Sequence, residues 1–275
     1  MCFDGKKPKI AILMSVYKND KLEHLIESVE SLLNQTYGNF VIYICVDGIV
    51  PTDNKNYLEK LDKSKVILFQ RDDNRGLAYS LNELIQLALN DKEIEYLARM
   101  DADDIAIDKR LQLQVDFMQS NPEIDVSGGF CREFGGVIAR GVRKVYSNHE
   151  DIVKNMFKKC PFIHPTVIFR RRVFDSGARY PTDKPKTEDL ALWYSLAFLG
   201  MKFANIEEEI ILFRIDDETL LRRRGLSKAF TELKIRLYYL IKLKRFIVSD
   251  IAYVLLHYIV RILPAKLFNV IYRNN

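Results

Sequence analysis

A cluster of carboxylates, Asp101-Ala102-Asp103-Asp104, directly follows an apolar run at residues 96–100. Two aspartates one residue apart at the end of a strand can offer oxygen ligands to Mn2+ or Mg2+. Such cations hold diphosphates and absorb charge on a departing phosphate. A second acidic pair, Glu188-Asp189, precedes an apolar helical pattern. A carboxylate at a helix N-terminus is stabilised as the anion, and an ionised carboxylate can accept a proton from a hydroxyl as a bond forms. Arg75-Gly76 opens another helical pattern, where a cation beside exposed N–H groups suits phosphate. Asp47-Gly48 could accept a hydrogen bond from a base edge or a ribose. Taken singly, each of these is equally a turn or a helix cap. His164-Pro165 is ambiguous in the same way, because a lone histidine is most often structural. No Ser-His-Asp order, P-loop, GxGxxG or HExxH pattern occurs.

The elements that would position these groups follow from periodicity. Short apolar runs at 10–14, 40–46, 66–69 and 96–100 read as buried strands, and the patterns at 22–33 and 77–89 as amphipathic helices. Strand and helix in alternation predict an α/β fold with a mostly parallel central sheet flanked by helices. Ligands of such sheets bind beyond the carboxyl ends of the strands. Ser15, Asp47, residues 71–75 and the Asp101–Asp104 group all follow strand ends, so all should meet at one edge. The second half is less regular. Strands are expected at 126–134, 166–169, 203–206 and 210–214. A helix is expected at 190–199 with Thr187 as N-cap, and from 226 onward the pattern is helical, interrupted by Pro264.

Charge divides the chain. Residues 222–275 hold 12 Lys and Arg against 2 Asp and Glu, whereas residues 1–221 hold 30 against 35. An acidic body with a basic, aromatic tail argues against nucleic acid as a partner and for a terminus that meets a negative surface. Residues 1–221 are therefore expected to form the catalytic domain, and 222–275 a basic amphipathic helical extension at an anionic membrane surface. Packing of that extension on the domain is the alternative, and Arg222-Arg223-Arg224 could meet a diphosphate. No uninterrupted apolar run reaches the ~18 residues of a spanning helix. The four cysteines form no CxxC pair, and the first nine residues lack the apolar stretch of a secretory leader, so a reducing cytoplasm is expected.

In their order, these pieces resemble the family 2 glycosyltransferases of the GT-A fold. The resemblance runs over about residues 8–215. It rests on Ile12-Leu13-Met14-Ser15-Val16-Tyr17-Lys18-Asn19, Ser28-Val29-Glu30-Ser31-Leu32-Leu33-Asn34-Gln35-Thr36-Tyr37 and Val46-Asp47-Gly48. It continues in Asn74-Arg75-Gly76-Leu77-Ala78-Tyr79-Ser80-Leu81-Asn82, Ala98-Arg99-Met100-Asp101-Ala102-Asp103-Asp104-Ile105, His164-Pro165-Thr166-Val167 and Glu188-Asp189-Leu190-Ala191-Leu192-Trp193. Within the family the chain is most similar to bacterial enzymes of surface polysaccharide assembly (O-antigen of lipopolysaccharide, or capsule), including β-1,3-glucosyl and β-1,3-galactosyl transferases. The resemblance implies transfer of a hexose, with inversion, from a nucleotide sugar such as UDP-glucose or UDP-galactose. The acceptor it implies is a lipid-linked saccharide of the undecaprenyl diphosphate type, used at the inner face of the cell membrane. It assigns Ser15 and Asp47 to the base, Arg75 to the nucleotide or its phosphates, Asp101 to the ribose or donor sugar and Asp103 to Mn2+ or Mg2+. Asp189 becomes the general base, with Glu188, Trp193 and His164 on the acceptor side. Val46 and Phe213-Arg214-Ile215-Asp216 depart from the family pattern. The rival readings are a nucleotidyltransferase, which lacks its Gly-rich loop here, and a non-catalytic sugar-nucleotide-binding assembly module.

Overall fold

The structure, a computed structural model, describes residues 7–136, 139–215 and 226–262. Strands β1 (Lys9–Val16), β2 (Phe40–Asp47), β3 (Val66–Arg71) and β4 (Ile94–Asp101) lie parallel in the order β3-β2-β1-β4. Helices α1 (Leu22–Leu33), α2 (Thr52–Glu59) and α3 (Leu77–Asn90) connect them. β1, β2 and β4 are apolar on both faces because helices cover both, whereas the edge strand β3 leaves Ile67 and Leu68 exposed. Along β1, Ile10, Ile12, Met14 and Val16 enter one core with Leu25, Val29 and Leu32 of α1. The intervening Ala11 and Leu13 enter a second core with Leu81, Leu84 and Ile85 of α3. Side chains alternate along a strand, so a continuous apolar run supplies both cores. The chain reverses its lateral direction between β1 and β4, which leaves a crevice beyond their carboxyl ends.

Beyond β4 the sheet becomes mixed. It continues through β8 (Ile168–Arg170), β6 (Val126–Phe134) and β9 (Phe203–Arg214) to β5 (Ile105–Ala106), with β7 (Val142–Arg143) on β6. The two strands expected at 203–206 and 210–214 are one strand, β9. Its partner β6 shifts register between Gly129 and Cys131, which absorbs the polar stretch in the middle. Helices α4 (Arg110–Ser120), α5 (His149–Asn155), α6 (Arg171–Asp175) and α7 (Glu188–Phe198) and a 3-10 turn (His164–Thr166) complete this half. Thr187 does occupy the N-cap of α7, but its hydroxyl donates to the Lys184 carbonyl at 3.1 Å and caps nothing.

Only residues 102–104 separate β4 from β5, yet three strands lie between them in the sheet. Four Cα steps reach at most ~14 Å. Four strand spacings in a flat sheet amount to ~19 Å. The sheet therefore curls, and the end of β9 is brought back over the carboxylates that follow β4.

The C-terminal extension forms α8 (Leu226–Lys242) and α9 (Val248–Ile262); Arg222–Arg224 and Pro264 lie outside the described residues. Both helices pack on the body. Ile235, Leu240 and Val254 share a core with Met156, Phe157, Leu190 and Tyr194. Both faces mix polar and apolar residues. The inward faces carry Glu232, Arg236, Asp250 and Arg261, joined as Arg236–Glu232 (2.7 Å), Arg261–Glu232 (3.2 Å) and Arg245–Asp250 (2.7 Å). The outward faces carry Leu226, Phe230, Leu237, Tyr238 and Ile241 on α8, and Leu255, Leu256, Ile259 and Ile262 on α9. Among the described residues no helix is long and apolar enough to cross a membrane.

One buried guanidinium ties the two halves. Arg110 of α4 donates to Gln114 Oε1 (3.0 Å), the Arg99 carbonyl (2.7 Å) and the Pro165 carbonyl (2.9 Å). Burial and the neighbouring Arg99 depress its pKa to about 9. Arg110→Ala would leave these acceptors dry and unmet, at ~1–3 kcal/mol for each orphaned group. A loss of about 2–4 kcal/mol is expected in urea denaturation.

Candidate active site

One wall of the cleft is built around Asp47. β2 ends there, and Gly48 turns with φ 84°, so tightly against the next loop that a Cβ would lie 2.8 Å from the Asn74 nitrogen. The Asp47 carboxylate is 2% exposed. Its Oδ1 accepts from the Arg71 guanidinium and from the Arg75 N–H (2.8 Å), and its Oδ2 from the Gly76 N–H (2.8 Å). Asp47 thus fixes the loop that starts α3 while still lining the cleft. Arg71, the first of the 71–75 group expected at this edge, also donates to Glu83 (2.7 Å) and Ser80 (2.8 Å). The Arg75 guanidinium lies 4.1 Å over the Tyr79 ring.

The acidic cluster sits in the crevice between β1 and β4. Ser15 and Asp101 are register partners across these strands, and Ser28 of α1 donates to the Asp101 carbonyl at 2.8 Å. One carboxylate oxygen from each of Asp101, Asp103 and Asp104 lies within 4.8 Å of the others. Two arginines manage this charge. Arg99, 3% exposed, pairs with Asp101 from below. Arg214, at the end of β9, donates its N–H to Asp104 Oδ1 (2.8 Å) and its Nε to the Asp103 carbonyl (2.8 Å), and pairs with Glu27. Asp104 is buried, and its Oδ2 has no partner. Desolvation, with the charges of Asp101 and Asp103, raises the Asp104 pKa well above the ordinary carboxylate range. An orphaned carboxylate oxygen beside two further carboxylates is a donor set that fits a hard divalent cation.

A cavity of about 590 Å3 opens over these residues, lined by Ser15, Asp47, Arg75, Asp101, Asp103 and Glu188 among others. A second cavity of about 360 Å3 adjoins it and contains Asp189 and His164. Asp101, Lys186, Phe213 and Lys228 line both, so the two are lobes of one cleft. Asp189 occupies the first turn of α7. Burial raises its pKa, opposed by the Leu190 N–H and by the Lys228 ammonium. Burial and Asp189 together raise that of Glu188, whose Oε2 is unpartnered. His164 bonds Tyr180 Oη at 2.9 Å, and burial with Arg99 nearby lowers its pKa well below the usual value, which keeps it neutral.

Of the residues singled out in the sequence, Ser15, Asp47, Arg75, Asp101, Asp103, Glu188, Asp189 and His164 line this cleft. Trp193 does not. It is 0% exposed and lies behind the wall, edge-on to His164 with ring centroids 5.9 Å apart and stacked on Phe169. It stands one turn past Asp189 along α7, where Phe162, Phe169 and Leu196 enclose it in the core. Arg99, Arg143, Arg214, Lys228, Glu232 and Arg261 contribute to the cleft or its support without having been singled out there. Arg99 and Arg214 belonged to motifs already quoted, but nothing local marks the carboxylates they meet.

Comparison with known proteins agrees with this geometry. The profile of "Glycosyl transferase family 2" matches residues 11–177. An uncharacterized glycosyltransferase of Haemophilus influenzae is 30% identical, over 96% of this chain and 98% of its own. The amylovoran biosynthesis glycosyltransferase AmsE of Erwinia amylovora is 27% identical over 96% and 98%. The UDP-Gal:alpha-D-GlcNAc-diphosphoundecaprenol beta-1,3-galactosyltransferase of Escherichia coli is 28% identical over 97% and 96%. In fold, the chain resembles S. aureus TarS 1-349 in complex with UDP (TM-score 0.65, 15% identity, 92% of this chain and 71% of that one). It also resembles the mannosyltransferase PcManGT of Pyrobaculum calidifontis in complex with GDP-Man and Mn2+ (TM-score 0.61, 13% identity, 92% and 69%). The crevice beyond β1 and β4, the paired carboxylates and these full-length similarities lead to one assignment: the chain belongs to glycosyl transferase family 2.

Proposed function

We propose that this glycosyltransferase moves a hexose, with inversion, from a UDP-sugar to a hydroxyl of a lipid-linked saccharide during assembly of a bacterial surface polysaccharide. The observation that carries this reading is the common cleft, in which Asp189 stands across Asp101 from the Asp103 lobe. The similarity to the Escherichia coli and Erwinia amylovora enzymes supports the substrate class. Similarity to UDP-bound TarS supports the donor.

In this reading Ser15 and the Asp47 loop hold the base and ribose, and Arg75 meets the nucleotide phosphates. Asp101, Asp103 and Asp104 would hold a divalent cation, Mn2+ or Mg2+, which when bound supplies positive charge against the diphosphate leaving group. Asp189 accepts the acceptor hydroxyl proton as the oxygen bonds to the anomeric carbon. The bond from that carbon to the diphosphate breaks on the opposite side, and UDP departs with the electron pair. Attack and departure on opposite faces invert the anomeric centre. Holding both sugars in line can supply ~7–11 kcal/mol of the barrier reduction. Asp189 must be ionised to act, so its raised pKa places the acid limb of turnover above the ordinary aspartate range.

The exposed apolar residues of α8 and α9 support a link to a lipid-borne acceptor. Phe246, Ile247 and Val248 at their junction are exposed, Val248 by 80%, and extend the outward apolar stripe. Lysines stand among the aromatics: Lys234 lies 4.3 Å from the Phe230 ring, and Lys242 lies 4.8 Å from that of Phe198. Cations interleaved with aromatic and aliphatic side chains suit the interface of an anionic bilayer, at the inner face of the cell membrane.

Three outcomes test this account. Asp189→Asn should lower kcat by about 10²- to 10⁴-fold with UDP affinity unchanged, measured by product formation and calorimetry; undiminished turnover rejects the base. Asp103→Asn should weaken UDP binding about tenfold or more in Mn2+ and hardly at all in EDTA. Phe246→Glu with Leu256→Glu should abolish co-sedimentation with phosphatidylglycerol vesicles while leaving the fold intact by circular dichroism. Vesicle binding that survives both changes rejects the bilayer, and a wild-type dimer that the changes dissociate assigns the face to a second copy.

A further inference from the structure

The smaller lobe is more basic than proton transfer requires. Arg143 of β7, Lys228 of α8 and Arg261 of α9 line it together with Asp189. The carboxylates there are largely answered from elsewhere. Arg99 pairs with Asp101, and Arg236 and Arg261 both hold Glu232, with His257 3.7 Å away. Arg143 and Lys228, by contrast, have no ion pair within 4 Å among the described residues. Both are partly buried. Lys228 is drawn from water next to the Arg261 charge, which lowers its pKa. Asp189, Glu232 and Glu188 act on Lys228 from beyond ion-pair distance, but neither cation is closed into a pair, and half-buried cations of this kind on the wall of a cavity suit the receipt of an anion.

The position of the lobe says which anion. The donor diphosphate belongs to the other lobe, beside the acidic cluster. Asp189 lies in the basic lobe, so an acceptor hydroxyl brought to Asp189 carries the remainder of its molecule toward Arg143, Lys228 and Arg261. Two of these residues stand on α8 and α9, whose outward faces are apolar.

We infer that the lobe lined by Arg143, Lys228 and Arg261 is the subsite for the diphosphate that joins the acceptor sugar to its lipid. This rests on the reading that the acceptor is lipid-linked. The C-terminal helices then contribute directly to acceptor recognition: their inner face supplies cations to the phosphates, and their outer face meets the hydrophobic phase in which the lipid is anchored. The lysine and arginines bind and orient the acceptor; they exchange no proton with it.

The experiment compares two acceptors of the full-length enzyme with UDP-sugar in excess: GlcNAc-α-diphosphate-alkyl and GlcNAc-α-alkyl, which lacks phosphate. Wild type should prefer the first in kcat/KM. In Arg143→Met and in Lys228→Met that preference should fall about tenfold or more, in line with loss of one charge-assisted contact, and in Arg143→Met, which lines the smaller lobe and not the larger, UDP affinity should be unchanged. A preference that the variants leave intact, or loss of UDP affinity with acceptor preference unchanged, overturns the subsite. If wild type transfers to neither acceptor, the lipid-linked reading fails separately. Binding of inorganic pyrophosphate in the presence of saturating UDP then decides the subsite alone: weakening in both variants supports it, and equal affinity overturns it.

Discussion

The centre depends on a guanidinium where water cannot reach it. Arg99 lies beneath the cleft with 3% exposure, paired with Asp101 and acting electrostatically on Asp104, His164, Tyr180 and Asp189. Several carboxylates cannot share a partly dry crevice without compensation, because each raises the cost of ionising the next. Arg99 offsets part of that repulsion from below, and Arg214 from the side. Its position is in turn held by Arg110, which grips the Arg99 carbonyl and so fixes the end of β4. A chain of three arginines therefore runs from the interior of α4 to the opening of the cleft.

Much of this was legible in the sequence wherever the signal was local. The α1 pattern at 22–33 and the β6 run at 126–134 match the observed elements at both ends, α1 on its continuous helical apolar spacing. The gathering of Ser15, Asp47, Arg75, Asp101 and Asp103 followed from the rule for parallel strands, which needs only strand ends. Helix α4 escaped notice because its apolar residues Leu111, Val115 and Met118 are separated by Arg110 and Gln114, polar yet fully buried. Helix α2 buries little beyond Asn54 and Leu58 and looks like a loop. The family resemblance gave Trp193 an acceptor-side role, whereas the structure buries it behind His164 among Phe162 and Phe169.

The extension marks where local reading stops. Its composition announced a basic amphipathic helix, but which face meets what is decided by residues far away. Phe157 and Tyr194 recruit Ile235 and Leu240, and the Phe157 carbonyl accepts from Arg236, so the charged face turns inward. The usual logic of a surface helix, apolar inside and polar outside, is thereby mixed: ion pairs share the inner face with Ile235, Leu240 and Val254, and exposed apolar residues share the outer one with Lys234 and Lys242. The same contact delivers Lys228 and Arg261 to the cleft, a placement that no spacing of residues encodes.

The curl of the sheet has a consequence for the order in which the molecule is made. Asp103 and Asp104 leave the ribosome early, but the Arg214 clamp that returns over them arrives only with β9, and Lys228 and Arg261 come later still. A nascent chain released before β9 would possess most of the nucleotide crevice and an acidic cluster with one of its two arginine supports missing. A product terminated there would carry the carboxylates without the Arg214 clamp and without Lys228 and Arg261 on the wall of the smaller lobe.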